Sequence, residues 1–581
     1  MKLPSLSEIS RSEELTQSFP GLDRNLRGAD GSMSDMKNLT SDHYPLLAAR
    51  EKRTMLDVLV KPNGLLAKDK LVWVDNRNLY YGGEDLTDHL TDAGVHLTDS
   101  KKTLVSMGAY IIILPDKAYM NTQDYTDCGK IEADWVNGSP ASISLCMEDG
   151  VAYDYTAGKE APASPKNGQF WLDTSGETDA MKVWNESTGG WVSVETVYCK
   201  ISCTGIGAQF KDYDGVTVSG VEQIEGSRIV QHVTADSMVL IGLVPQSVTV
   251  EAGKLHITRK MPEMDYVVEC QNRLWGCFYG VKDGQTINEI YCCALGDFKN
   301  WERYAGISTD SYRASVGTDG KWTGAITYLG YPLFWKENHL HKVYVDEGGA
   351  HQIQDTACRG VQEGCSKSLQ VVNDRLYFKS RSGVCAYDGS LPENTGYSLG
   401  NELFSEAVGG SLRGKYYLSM RGETGWSLFV YDTKNGIWIK EDNTHALAMA
   451  TLRDELYILD AETKKFFGAS GRAEGEKEKA VQWSATTNII GYSDAGQKYV
   501  SRFAVRLRLE DGATAQFSIE YDSNGIWLPC GSIVGNRIKS AILPVKPRRC
   551  DHFRIRITGF GTMQIYSISK IYEKGSDVCG Y

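Results

Sequence analysis

Cys270 and Cys277 lie seven positions apart in CQNRLWGCFYG, and Cys292 and Cys293 follow as an adjacent pair in EIYCCALGDFKNW. Thiols so close together could act as a redox couple, a nucleophile or a metal-ligand set. The spacing favours none of these. Six residues separate Cys270 from Cys277 and three separate Cys199 from Cys203, and no second pair of Cys or His follows at zinc-ligand spacing. Fourteen cysteines among 581 residues are too dilute for a disulfide framework. Residues 1–20 contain no apolar stretch of the kind a secretion signal needs, so the thiols are expected to be reduced, in a cytoplasm. His339 and His341 form a His-x-His whose rings would share one face of a strand and could hold a metal if a further ligand joined them. Asp265, Glu269, Asp297 and Glu337 could supply the paired carboxylates of glycoside cleavage, but no spacing singles out a pair. HExxH, GxSxG, the P-loop and GxGxxG are absent from suitable strand-to-helix contexts. The reading is a protein that is not an enzyme, with no catalytic residue, cofactor or metal, whose cysteines pack inside it.

The elements that must hold those residues read as strands. Thirty-one Tyr, 13 Trp and 59 Gly against 15 Pro favour strands joined by glycine-based turns, an all-β chain. A repeat supports this. Aligned on an apolar residue before an aromatic, with a polar turn ahead of it, five segments begin at Leu274, Leu333, Leu376, Tyr416 and Leu456, in steps of 59, 43, 40 and 40 residues. Degenerate members sit at Leu79 and Tyr110. A period of about 40 to 45 residues with roughly four strands per unit is that of a β-propeller blade. About six to seven blades are expected, with a run of unrelated hairpins in a sandwich as the alternative. Ile290, Cys292 and Ala294 then face one way and Tyr291, Cys293 and Leu295 the other, on a strand buried on both sides.

Three additions flank or interrupt the repeat. Residues 124–262 form an inserted region holding PASPKNGQFWLDTSGETDAMKVWNESTGGWV, in which Trp171, Trp184 and Trp191 are separated by turn residues. Tryptophans on a small β-module could stack against sugar rings or bind a partner, or simply make the module's own core. Residues 476–581 change to longer alternating strands, with Phe503, Val505, Leu507 and Leu509 opposing Arg506 and Arg508, and Phe553, Ile555 and Ile557 opposing Arg554 and Arg556. This is a half-buried antiparallel sheet of a separate β-sandwich whose arginines could meet a neighbouring subunit. Residues 1–60 read as an extended arm with basic residues Arg24, Arg27 and Arg50, also candidates for contact between subunits. The propeller is thus assigned to 61–123 and 263–475.

A net charge of −12 argues against a protein that grips nucleic acid by its phosphates. The longest apolar run, MVLIGLV, is far below the ~20 residues of a membrane span. GLDRNLRGADGSMSDMKNLTSDHYPLLAAREKR, from Gly21 to Arg53, resembles the opening of tailed-bacteriophage virion proteins. NRLWG…EIYCCALGDFKNW and NDRLYFKS…YDG resemble the β-propeller of phage tail-nozzle or tail-hub proteins from phages and prophages of Gram-positive gut bacteria, and LPVKPRRCDHFRIRITGFG resembles their terminal β-sandwich. The tryptophan-rich insert is similar to small modules of phage fibres.

The resemblance implies a structural protein of the virion tail or neck, assembled in the host cytoplasm as a homo-oligomeric ring of about six copies beside other tail proteins. DNA would pass through it without specific binding, and negative charge on the wall would keep the polyanion sliding. The N-terminal arm would dock on a neighbouring subunit, so that a chain lacking residues 1–50 would stay folded but fail to assemble. A host-surface glycan receptor built on the three tryptophans, and a propeller glycoside hydrolase, are the alternatives.

Overall fold

The computed structural model describes residues 11–282, 284–346, 349–491, 496–535, 537–546 and 548–574. Strands dominate, and among these residues the one α-helix is the short Thr87–Asp92. Seven antiparallel sheets follow one another as propeller blades, at 62–85, 103–130, 266–315, 324–357, 370–394, 407–442 and 446–468. The first strands of neighbouring blades pack side by side, except that blade 4 meets the turn Ser366–Ser368 leading into blade 5, and that of blade 7, Ala446–Leu452, meets that of blade 1, Pro62–Ala67, to complete the circle.

The repeat marks the second strand of each blade. Leu274, Leu333, Leu376, Tyr416 and Leu456 all occupy it and all are buried. The turn ahead of each has two consecutive residues with positive φ: Gln271–Asn272, Leu329–Gly330, Asn373–Asp374, Arg413–Gly414 and Arg453–Asp454. Such a two-residue turn matches the right-handed twist of the strands it joins. Tyr110 also lies on a second strand, but Leu79 lies on the third strand of blade 1, Asn78–Tyr81, so that member of the series is out of step. Stacking between neighbours explains strands such as YPLFW and RLYFKS, which are buried almost throughout because both faces of a blade are covered.

Blade 7 takes its fourth strand from the other end of the chain. Thr54–Val58 pairs with Lys465–Gly468, so residues read as part of an arm are the latch that closes the ring. Arg53, just before the latch, is buried and paired with Glu441 (2.7 Å) and Asp442 (2.6 Å) of blade 6, while its backbone N–H donates to Glu478 (3.0 Å). Burial works against its charge, but the carboxylates of Asp442 and Glu441 more than offset it and hold the guanidinium protonated.

The rest of the N-terminal stretch also differs from a free arm. Arg11–Thr16 and Leu47–Ala49 pair with Met563–Lys574, and Met33–Lys37 pairs with Gln482–Thr487. The C-terminal unit is therefore a sandwich of two sheets, each extended on one side by strands from the N-terminal stretch. The arm is expected to need a partner surface for order, its own propeller or an adjacent subunit, and its strand partners are in its own chain, in the sandwich and in blade 7. Gly21 shows how tightly the crossing is made. Its φ is +82°, its Leu22 neighbour donates to the Trp438 carbonyl (2.6 Å), and a Cβ at Gly21 would lie 2.3 Å from that oxygen. Sandwich and propeller share one continuous apolar core, in which Met33, Met36, Trp438, Trp483, Phe503 and Ile557 all take part.

The insert begins after Cys128–Lys130, which is still the fourth strand of blade 2, and ends before Tyr266–Glu269 of blade 3. Its body is an eight-stranded sheet around Ile143, Cys199, Ile201, Val216 and Leu240. Blade 3 anchors it: Asn300 accepts the Gly215 N–H (3.0 Å) and donates to the Tyr213 carbonyl (2.9 Å). Beneath that contact Arg259 and Asp214 form a buried ion pair.

Candidate functional site

The three tryptophans sit on a four-stranded sheet set into the insert, made of Tyr155–Gly158, Phe170–Asp173, Ala180–Asn185 and Gly190–Ser193. Pairing Leu172 with Met181 and Phe170 with Val183 puts those residues on one face. Leu172 and Met181 are buried there with Leu145 of the insert body, packed with Phe170, Val194 and Leu243. Alternation sends Trp171, Asp173, Lys182, Trp184 and Trp191 to the opposite face. The tryptophans are therefore not the core of the module.

On that opposite face Trp191 bridges the other two, with ring centroids 5.3 Å from Trp171 and 5.5 Å from Trp184, both edge to face. Trp171 is 6% exposed and its indole N–H donates to the Gly158 carbonyl (3.1 Å), while Trp184 and Trp191 are half-buried. Lys182 stands 5.2 Å over the Trp171 ring and pairs with Asp173 at 2.7 Å. Bonds from Lys182 and from Ser175 hold the Asp173 carboxyl down at about 2. The result is a half-exposed aromatic ledge edged by one compensated ion pair, a surface suited to the apolar face and hydroxyl rim of a sugar ring. Lys182 and Asp173 were readable in the sequence, since each lies two residues from a tryptophan on the same strand.

The seven arginines read as subunit contacts divide. Arg24 pairs with Glu402, Arg50 with Glu478 (2.7 Å) and Asn38 (2.8 Å), and Arg554 with Glu520 (2.7 Å), all within the chain. Arg556 lies 3.9 Å over the Trp527 ring. Arg27, Arg506 and Arg508 are exposed, and no ion pair joins them to another described residue.

Cys270, Cys277 and Cys292 are buried at the contact of blade 3 with blade 4, and Cys293 at its contact with blade 2. Burial pushes the Cys270 thiol up to about 11 and Cys292 to about 12, and also raises Cys277 and Cys293 well above the usual thiol value. Thiols so protonated are poor nucleophiles. Cys293 accepts the Leu274 N–H (3.0 Å), and Cys270 donates to the Gly330 carbonyl (3.3 Å). His339 and His341 do share a face, and both approach Asp355, at 2.9 and 3.5 Å, while His341 also meets the Thr318 hydroxyl at 2.9 Å. Among the described residues no group of three or more His, Cys, Asp or Glu is placed to hold a metal ion. Burial lowers His341 to about 4, against the pull of Asp355. The four carboxylates make local bonds: Asp265 accepts the Tyr279 N–H (2.8 Å), Glu269 the Asn272 N–H (2.8 Å), Asp297 pairs with Lys211 (2.9 Å) and Glu337 with Arg381 (3.3 Å).

No protein-family model and no curated protein sequence matches the chain. Among solved structures it is similar to an exo-β-1,3-galactanase from Phanerochaete chrysosporium, at 10% identity over 75% of this chain and all of that one, with a TM-score of 0.19. It is also similar to the endosialidase of phage phi92 (10% identity, 81% of this chain and 70% of that one, TM-score 0.22) and to the Trypanosoma rangeli sialidase (10% identity, 82% and 91%, TM-score 0.20). The likeness concerns the all-β propeller type of fold. It also corrects the expectation that the chain is not an enzyme: glycoside hydrolases and sialidases are among the structures it is similar to, so that exclusion is withdrawn. No helix among the described residues is long and apolar enough to cross a membrane.

Proposed function

We propose that this chain is a structural protein of a tailed-phage virion, one copy of a ring in the tail or neck through which DNA is held and released. The observation that carries the reading is the union of the two sequence stretches that resemble such proteins. Gly21–Arg53 and Leu543–Gly561 lie at opposite ends of the chain, yet Met33–Lys37 and Phe553–Phe560 are strands of the same sheet, joined through Gln482–Thr487. A resemblance spread over distant segments thus falls on one structural unit, as a shared assembly module would. Mass spectrometry of purified virions, with gold-labelled antibody against the inserted module, tests this. The chain should be present in many copies at the tail or neck, and its absence from virions ends the proposal.

A second reading, favoured by the outward tryptophan ledge, gives the inserted module a role in contact with host-surface glycans. Binding of the full chain to an array of bacterial wall glycans should then be lost in Trp184→Ala and Trp191→Ala. Equal binding by the variants, or none by the natural chain, counts against it.

A further inference from the structure

The C-terminal region carries the opposite charge to everything before it. Residues 481–581 hold 13 Lys and Arg against 8 Asp and Glu, a net of +5, which leaves −17 on residues 1–480. Part of that excess is gathered on one flat surface. Along Lys498–Leu509 the inward Phe503, Val505, Leu507 and Leu509 are buried, and Arg502, Arg506 and Arg508 project outward and are exposed. The neighbouring strand Ile538–Pro544 aligns Ile542 with Ala504, Ser540 with Arg506 and Ile538 with Arg508. Ile538 and Ile542 are 57% and 65% exposed. On the other side Ser569, Ser567 and Gln564 face the same positions. Arg506 donates to the Ser540 hydroxyl (3.2 Å), and none of the three arginines is ion-paired among the described residues.

The opposite sheet of the sandwich shows what a satisfied arginine pair looks like here. Arg554 has Glu520 and Arg556 has Trp527. The outer face of the first sheet carries three arginines and two exposed isoleucines against one acid, Glu13, which lies two strands from Arg502, an arrangement that gains when an acidic surface with apolar contact covers it. The chain itself supplies the complementary charge: residues 51–480, the propeller and insert, carry a net −16. Within one molecule this face points outward, so the cover must come from another copy.

We infer that the strip of Arg502, Arg506, Arg508, Ile538 and Ile542 docks on the acidic propeller-and-insert surface of a second copy of this chain. Unlike surfaces meeting head to tail make a heterologous contact, which closes into a ring when the rotation between copies permits. The inference rests on the ring proposed above and names the interface that builds it. Opposite fields on the two surfaces speed encounter and fix its direction, and salt weakens both effects.

The test uses the full chain, with its mass distribution followed by mass photometry and light scattering at low and high salt. The natural chain should form a discrete oligomer whose apparent dissociation constant rises about tenfold or more at high salt. Arg502→Glu/Arg506→Glu/Arg508→Glu should weaken it at least as much at low salt, and Ile538→Ser/Ile542→Ser should weaken it at both salts while leaving the salt dependence intact. If the charge reversal unfolds the sandwich, as circular dichroism would show, Arg506→Gln/Arg508→Gln replaces it with the same direction of effect. A natural chain that stays monomeric at low salt, or a folded charge variant that assembles like the natural chain, overturns the inference. So does retention of the natural chain on duplex DNA, lost in the charge variant, without self-association. Presence in virions is read separately, so a virion protein that is monomeric in solution defeats this interface alone.

Discussion

The propeller and the sandwich are both finished by residues 11–58, but they depend on them differently. Blades 2 to 6 are each built from consecutive hairpins, and only the outer edge of blade 7 needs a distant strand, Thr54–Val58. The sandwich has few pairings between neighbours, such as Thr514–Tyr521 with Leu528–Val534, and is held together by distant ones. Arg11 pairs with Glu573 and Met33 with Thr487, across almost the whole chain. Closing so long a loop costs only slightly more entropy than closing a moderate one, so such pairing can be stable although it forms late. One region is local and closed by a latch, and the other exists only when both ends have met.

The sharpest way to break this contrast is to remove residues 1–50. That deletion takes four strands from the sandwich and leaves the latch of blade 7. Calorimetry should show the sandwich transition lost, with strong dye binding by its exposed core, while a propeller transition survives. A truncated chain with both transitions would show that the N-terminal strands are dispensable. Arg53→Met attacks the latch of the propeller by stranding Glu441 and Asp442 of blade 6, and should cost about 3–5 kcal/mol in urea unfolding, as losing one partner of a buried pair does. A loss under about 1 kcal/mol would mean that water reaches those carboxylates.

Acid should act on the propeller through His341. Its folded pKa of about 4 lies below the ordinary value of 6.5, so between these values the unfolded chain binds a proton that the folded chain refuses. Its contribution is full above pH 6.5 and is lost as pH falls towards 4, by up to about 3 kcal/mol. Asp355 and His339 beside it, and Lys336 nearby, shape the same range. The stability of His341→Gln should therefore change less than that of the natural chain between pH 7 and 4.5, and parallel curves would reject the assignment. The smallest effect concerns thiol labelling at pH 8, where Cys270, Cys277, Cys292 and Cys293 should react slowly in the native protein and quickly in urea. Fast native labelling at these four would place blade 3 among the opening parts of the molecule.

Much of the propeller was legible because each blade repeats a local rule. A two-residue turn of fixed handedness, then an apolar strand, recurs at Leu274, Leu333, Leu376, Tyr416 and Leu456, and both faces of each strand are covered by like neighbours. Blade 1 was misaligned at Leu79 because LVWVD, its true second strand, follows the ordinary turn residues Lys68–Asp69–Lys70. The N-terminal strands escaped notice because segments such as Leu39–Thr40 and Leu47–Ala49 are too short to show a period. The tryptophans were visible, but their side of the sheet was not. Only the packing of Leu172 and Met181 against Leu145 decides which face of that module is its core.

The sequence by itself determined the strands, the repeat and the alternation that sorts arginine from apolar side chains, since these follow from turn chemistry and a period of two along the backbone. The tertiary structure decided which arginines have partners, which strand closes the ring and which thiols are sealed. Those outcomes depend on contacts between segments tens to hundreds of residues apart, and no local pattern encodes them.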